Sequence, residues 1–242
     1  MIDANGLKQL APTGKLRGGV VIAPAASAFF SVRDGAGAVR GVTVSLLRAF
    51  AEKLRLPLEL QVFDNSGQVT ETVSAGNCDL AFMPYDAARA EKVAFGPAYF
   101  IIESTYLVPA GSPIRTIDEV NKKGVRIVVI ANTTTGRSAR RTAPDAEVIE
   151  VPSVELMTEM ARKGEGDAFA LTHDSLAGLM PKLPGARILP GNFQQTGINV
   201  AVPRGRPAAL AIAMALLEDA KKSGAVRQAF DAAGFTDATV AP

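Results

Sequence analysis

Two stretches of this chain carry side chains suited to holding an anion. Arg89 lies in the run DAARAEKVAF, six residues before Phe95. A guanidinium is a planar fork that offers a carboxylate two parallel hydrogen bonds and keeps its proton at any working pH. Taken alone, the position reads as a surface arginine in a helical turn, paired with Asp86 or another acid. The second stretch is Asn132-Thr133-Thr134-Thr135-Gly136, between a strand-like and a helix-like segment. Free N–H groups at a helix start, with hydroxyls beside them, make an anion seat. Threonine also serves there as an ordinary N-cap, so one threonine can cap while the next binds.

Little else in the chain points to catalysis. His173 and Asp174 are sequence neighbours, and neighbours on a strand or helix point apart, so they form no dyad. No G-x-S-x-G nucleophile motif is present. Cys78, the one cysteine, precedes an apolar strand and reads as an inert small residue. One cysteine and one histidine exclude an internal disulfide, a thiolate cluster and a His-rich metal site. The expectation is a chain with no catalytic residue, cofactor or metal.

The elements that must position these groups alternate between strand and helix. Gly18-Gly19 reads as a turn before a short strand, Val20 to Ala23. Leu47, Phe50, Ala51 and Leu54 then recur with helical period. Leu58 to Phe63 alternates like a strand, a short helix spans Gln68 to Ala75, and Asp79 to Met83 is a buried strand. The pattern restarts with Thr116 and Glu119 as a capping-box pair. Strands follow at Val125 to Ile130, Glu147 to Val151 and Asp167 to Leu171. Between them lie helices, one over Thr133 to Arg141 and one capped by Ser153 that buries Leu156, Met157 and Met160. A last strand, Ile198 to Val202, precedes a helix with Leu210, Ala213, Met214 and Leu217 on one face. Such alternation implies α/β architecture, with mostly parallel sheets flanked by helices, and two runs imply two sheets.

The 242 residues are 48% hydrophobic and 21% charged, an ordinary globular composition. A net charge of +2 without a basic block gives no nucleic-acid track and fits a small anionic ligand. No apolar run approaches the roughly 20 residues of a membrane helix, and the start MIDANGLKQLAP has no signal-peptide pattern.

The stretches LRGGVVIAPAASAFF, GVTVSLLRAFAEKL, DLAFMPYDAARAEKVAFGPAYF, VVIANTTTGRSARR and GDAFALTHDSLAGL together resemble the bacterial extracellular solute-binding proteins of family 3. These are periplasmic receptors of ABC importers, and the resemblance covers nearly the whole chain. It implies a two-lobed periplasmic binding protein-like II fold in which the chain builds most of lobe 1, crosses to lobe 2 and returns. Lobe 1 is then 1–101 plus 200–242, and lobe 2 is 102–199. A ligand between the lobes, closure about a hinge, a monomer in the periplasm and a membrane permease as partner are further implications, the export signal not being part of this sequence.

By the same resemblance Arg89 grips the ligand's carboxylate, and Thr133, Thr134 and Thr135 contribute from lobe 2. Tyr85, Met83, Phe29, Ser66 and Gln195 fall where the ligand would be lined. The departures are informative. The family's lobe 2 carboxylate for an ammonium group is replaced by Thr172. The expected acid and aromatic in lobe 1 fall on Ala23 and Ala26, and an aromatic wall becomes Ser66. An ammonium buried without a counter-charge costs several kcal/mol. The expected ligand is therefore a small carboxylate, probed by Arg89, without an α-ammonium. Alternatives are an amino-acid binder using Asp174 or Asp86 from a shifted position, a cyclohexadienyl dehydratase-like enzyme using Glu103 or Asp174, and a sensor module.

Overall fold

The computed structural model describes residues 4–22 and 27–242. Among them the chain divides into two compact units: unit 1 comprises 4–22, 28–101 and 197–242, and unit 2 comprises Ser27 and 102–196. The expected division placed the return at residue 200; here it falls three residues earlier, inside a strand.

Unit 1 begins with α1 (Ala4–Leu10) and β1 (Leu16–Val21), followed by the small ribbon β2 (Val32–Arg33) and β3 (Val39–Arg40). Next come α2 (Val42–Leu54), β4 (Leu58–Phe63), α3 (Ser66–Ser74), β5 (Leu80–Pro84), the single turn α4 (Ala87–Ala90) and β6 (Val93–Val108). β1 pairs in parallel with β4 and β5. Gly18 and Gly19 are not a turn: they sit inside β1. A Cβ on Gly19 would stand 2.7 Å from Val69 and 3.0 Å from the Cys78 sulfur, so glycine here lets α3 lie close on the sheet. Cys78 is fully buried, and burial pushes its thiol pKa up to about 12.

β6 carries the chain into unit 2, where a 3₁₀ turn (Asp118–Val120) precedes β7 (Arg126–Ile130), α5 (Thr134–Thr142), β8 (Glu147–Val151) and α6 (Val154–Lys163). β9 (Ala168–Thr172), α7 (His173–Leu179), a 3₁₀ turn (Met180–Lys182) and β10 (Arg187–Ile188) complete it. β7 pairs in parallel with β8 and β9, while β6 runs antiparallel to β9 and β10. The Glu119 carboxylate accepts from the Arg115 and Thr116 N–H groups, one arm of the expected capping box. Ser153 caps α6 as expected, accepting from the Leu156 N–H. Leu156 itself is exposed, however, and the buried stripe is Val154, Met157, Thr158 and Ala161.

The chain returns on β11 (Gln194–Pro203), antiparallel to β5, and ends in α8 (Pro207–Lys222) and α9 (Ala225–Ala232). The buried face of α8 is Ala209, Ile212, Ala213, Leu216, Leu217 and Ala220, which leaves Met214 exposed, contrary to the expected face. Apolar residues nearly all round this helix made its inward side ambiguous.

Candidate functional site

In unit 1 the fully buried β5 delivers the chain to a sharp corner. The Tyr85 N–H donates to the Gly197 carbonyl, and Asp86 turns the chain into α4 by accepting from the Arg89 N–H at 2.9 Å. That turn carries Arg89, only 4% exposed. Its Nη1 donates to the Pro84 carbonyl at 2.9 Å and its Nη2 to Ser66 Oγ at 2.5 Å, while Nε lies 3.8 Å from the Asp86 carboxylate. Ser66 is itself fixed as the first residue of α3, whose N-cap Asn65 accepts from the Gly67 and Gln68 N–H groups. A carbonyl, a hydroxyl and a carboxylate thus hold one guanidinium, and the structure joins two residues singled out in the sequence, Arg89 and Ser66. Asp86 is engaged twice, by the helix start and by the guanidinium.

In unit 2 the three threonines have three different surroundings. Asn132 takes the left-handed conformation (φ 60°), which turns the chain from β7 into α5. Thr133 is the N-cap: its hydroxyl accepts from the Gly136 N–H at 3.0 Å and donates to the Ile130 carbonyl at 2.7 Å, so both its roles are occupied. Gly136 leaves room for this, since a Cβ would stand 3.1 Å from the Ile130 oxygen. Thr135 Oγ1 lies 3.0 Å from Ser104 Oγ on β6. Thr134 is 6% exposed, and its buried Oγ1 has no hydrogen-bond partner among the described residues. A buried hydroxyl in that state is costly unless something supplies the missing bond. It stands at the first turn of a nine-residue helix that has no acid in that turn. The N–H groups of that turn and the positive end of the helix dipole make a place for an anion.

Thr172, where an ammonium-binding acid was expected, is 9% exposed and donates to Ser175 Oγ at 2.8 Å. Asp174, two residues on, accepts from Ser27 Oγ at 2.5 Å.

Two other expected contacts need correction. Phe29 does not line a binding surface: it is 5% exposed and stacks on Phe100 and Phe235 at 4.1 and 3.5 Å, a cluster that rings from distant parts of the chain complete. Met83 is fully buried, its sulfur 3.4 Å from Thr70 Oγ1, and belongs to the core. Gln195 is exposed and its amide donates to Glu103 at 2.8 Å, which occupies one of the acids considered for an enzyme. Tyr85 is 47% exposed and meets Phe95 edge-on at 5.2 Å. Ala23 and Ala26 lie outside the described residues. Ser104 was missed altogether: its pairing spans 31 residues, and no local pattern marks it. Among the described residues no group of three or more His, Cys, Asp or Glu side chains could hold a metal, and no helix is long and apolar enough to cross a membrane.

The family model described as bacterial extracellular solute-binding proteins, family 3, matches residues 20–232. The ABC transporter glutamine-binding protein of Bacillus subtilis (strain 168) is 22% identical over 192 residues, covering 78% of this chain and 70% of that protein. Among solved structures, the solute receptor for L-cysteine of Neisseria gonorrhoeae superposes with a TM-score of 0.80 at 21% identity, over 96% of this chain and 93% of that one. An ancestral amino acid-binding protein, described as a precursor of cyclohexadienyl dehydratase, reaches a TM-score of 0.78 at 22% identity, over 93% of this chain and 98% of that one.

Proposed function

The chain belongs to the bacterial extracellular solute-binding proteins, family 3, and from that premise we propose that it is the periplasmic receptor of an ABC importer, taking a small carboxylate that lacks an α-ammonium group. The ligand is captured by closure of the two units and released to a membrane permease, without turnover. The observation that carries this reading is the Thr134 hydroxyl, buried without a partner at the start of α5. A ligand carboxylate would accept from it and from the N–H groups of the same turn, while Arg89 supplies the fixed cation from unit 1.

The lack of an ammonium partner rests on Thr172. A hydroxyl hydrogen-bonded to Ser175 brings no charge to a buried ammonium, and leaving that cation uncompensated costs several kcal/mol. Asp86 is paired with Arg89, so its use for an ammonium would weaken the grip on the carboxylate. Small hydroxy, keto or simple carboxylic acids satisfy the site; zwitterions do not.

Native mass spectrometry of protein purified without refolding tests this reading. The expected result is a retained acid of low mass that carries no primary amine. Recovery of an α-amino acid would overturn the ligand class, and conversion of a cyclohexadienyl substrate would overturn the reading as a receptor.

A further inference from the structure

Unit 2 holds a cavity of about 350 Å³ at the opposite end of α5 from Thr134. We propose that it is an accessory binding site for a small organic cation with a flat apolar body. The volume falls within the range that small-molecule sites occupy. Thr142 on its rim lies eight residues along α5 from Thr134, about 12 Å at 1.5 Å per residue, so it is a place distinct from the anion seat.

The base of the cavity is aromatic. Phe193 stacks on Tyr106 with ring centroids 4.4 Å apart and planes 25° from parallel. Tyr106 is 1% exposed, and its hydroxyl stays neutral because burial pushes its pKa up to about 12. The faces of such rings attract cations as well as flat apolar groups.

The polar rim favours the same class of ligand. Among the described residues Asp118 is its one charged side chain, and no Lys or Arg lines the cavity. Thr142 donates its hydroxyl proton to the Ser138 carbonyl and is hydrogen-bonded to the Tyr106 hydroxyl, so it adds no free donor to the wall. Thr142 and Ala143 bring the C-terminal, negative end of α5 to the wall. The two arginines of that last turn are tied elsewhere, Arg140 to Glu150 at 3.0 Å and Arg141 to Ser138 at 2.9 Å. Asn121 uses its carbonyl oxygen to accept from the Asp145 N–H, which fixes the orientation of its amide.

The test is an NMR titration of the full-length ¹⁵N-labelled protein with three probes of one shape and different charge: benzylamine, benzyl alcohol and benzoate. Benzylamine should shift the amide signals of residues 118, 121, 192 and 193 saturably, with benzyl alcohol weaker and benzoate without effect there. Asp118→Asn, an exposed change that the fold should tolerate, should weaken benzylamine about fivefold and leave benzyl alcohol unaltered. Phe193→Ala should weaken both. Equal shifts from all three probes, no saturable shift, or an Asp118→Asn protein that binds benzylamine as before would each overturn the proposal. Because the anion seat is untouched by these variants, its own ligand binding should persist in them.

Discussion

The two units fasten the ends of their central strands with the same clamp and place it in different environments. In unit 1, Arg17 of β1 reaches Asp79, just before β5, through its backbone N–H, Nε and Nη2 at 3.1, 2.9 and 2.5 Å. In unit 2, Arg126 of β7 reaches Asp167, just before β9, through the same three groups at 2.8, 3.1 and 3.1 Å. Each arginine also donates to a glycine carbonyl three residues before the aspartate, Gly76 or Gly164. Each aspartate N–H returns to its arginine's carbonyl at 2.9 Å. The environments differ. The Asp79 side chain is 0% exposed and takes a second guanidinium, Arg206, at 3.3 Å; the Asp167 side chain is 37% exposed and has one among the described residues. The same set of contacts therefore serves two energetic roles, a buried charge held by two cations and a half-exposed pair that water screens.

The largest expected effect is at the buried clamp. Asp79→Asn leaves Arg17 and Arg206 short of their anion and should cost about 3–5 kcal/mol in urea unfolding. A loss no greater than that of Asp167→Asn would show that burial does not separate the two clamps. A smaller contrast sharpens the same question at α5, where one hydroxyl holds the fold and its neighbour has nothing to hold. Thr133→Ala should cost about 1 kcal/mol as a lost N-cap. Thr134→Val removes an unsatisfied hydroxyl at nearly constant volume, and should leave stability level or slightly raised while weakening ligand binding. Equal destabilisation by the two changes would contradict the assignment of roles.

A small effect is expected at the exposed clamp, where Asp167→Asn should cost no more than about 1 kcal/mol. Its pH dependence has a definite sign. The hydrogen bond from Arg126 holds the Asp167 carboxyl below the usual carboxylate range. Its contribution is full above the unfolded value of about 4 and fades as pH falls through the lower folded value. Stability curves of the parent and Asp167→Asn proteins should therefore converge on acidification; a constant gap down to strongly acidic pH would remove the charged pair as the cause.

The sequence was readable wherever the physics is local. Period-2 alternation located β4, and the β-branched run located β7 within a residue. Ser153 and Thr133 announced their helices because an N-cap works within three residues. Long-range facts were hidden. The clamps join residues 62 and 41 apart, and only afterwards does the echo of Gly76-Asn77-Cys78-Asp79 in Gly164-Glu165-Gly166-Asp167 become visible. Gly19 looked like a turn because glycine's two uses, bending and close approach, leave the same letter. Phe29 looked like a ligand wall because its partners, Phe100, Phe230 and Phe235, lie far along the chain. At the site, residue types suggested an anion seat, but which of three threonines is uncommitted depended on Ile130, Gly136 and Ser104 around them.

Calorimetric titration with an L-amino acid and its 2-hydroxy counterpart, identical but for ammonium against hydroxyl, probes the central claim most directly. For at least one such pair the hydroxy acid should bind more tightly by tenfold or more, a difference of about 1.4 kcal/mol, and Arg89→Ala should abolish that binding. Tighter binding of the amino acid across the pairs would contradict the account, and so would full affinity for the hydroxy acid in the Arg89→Ala protein.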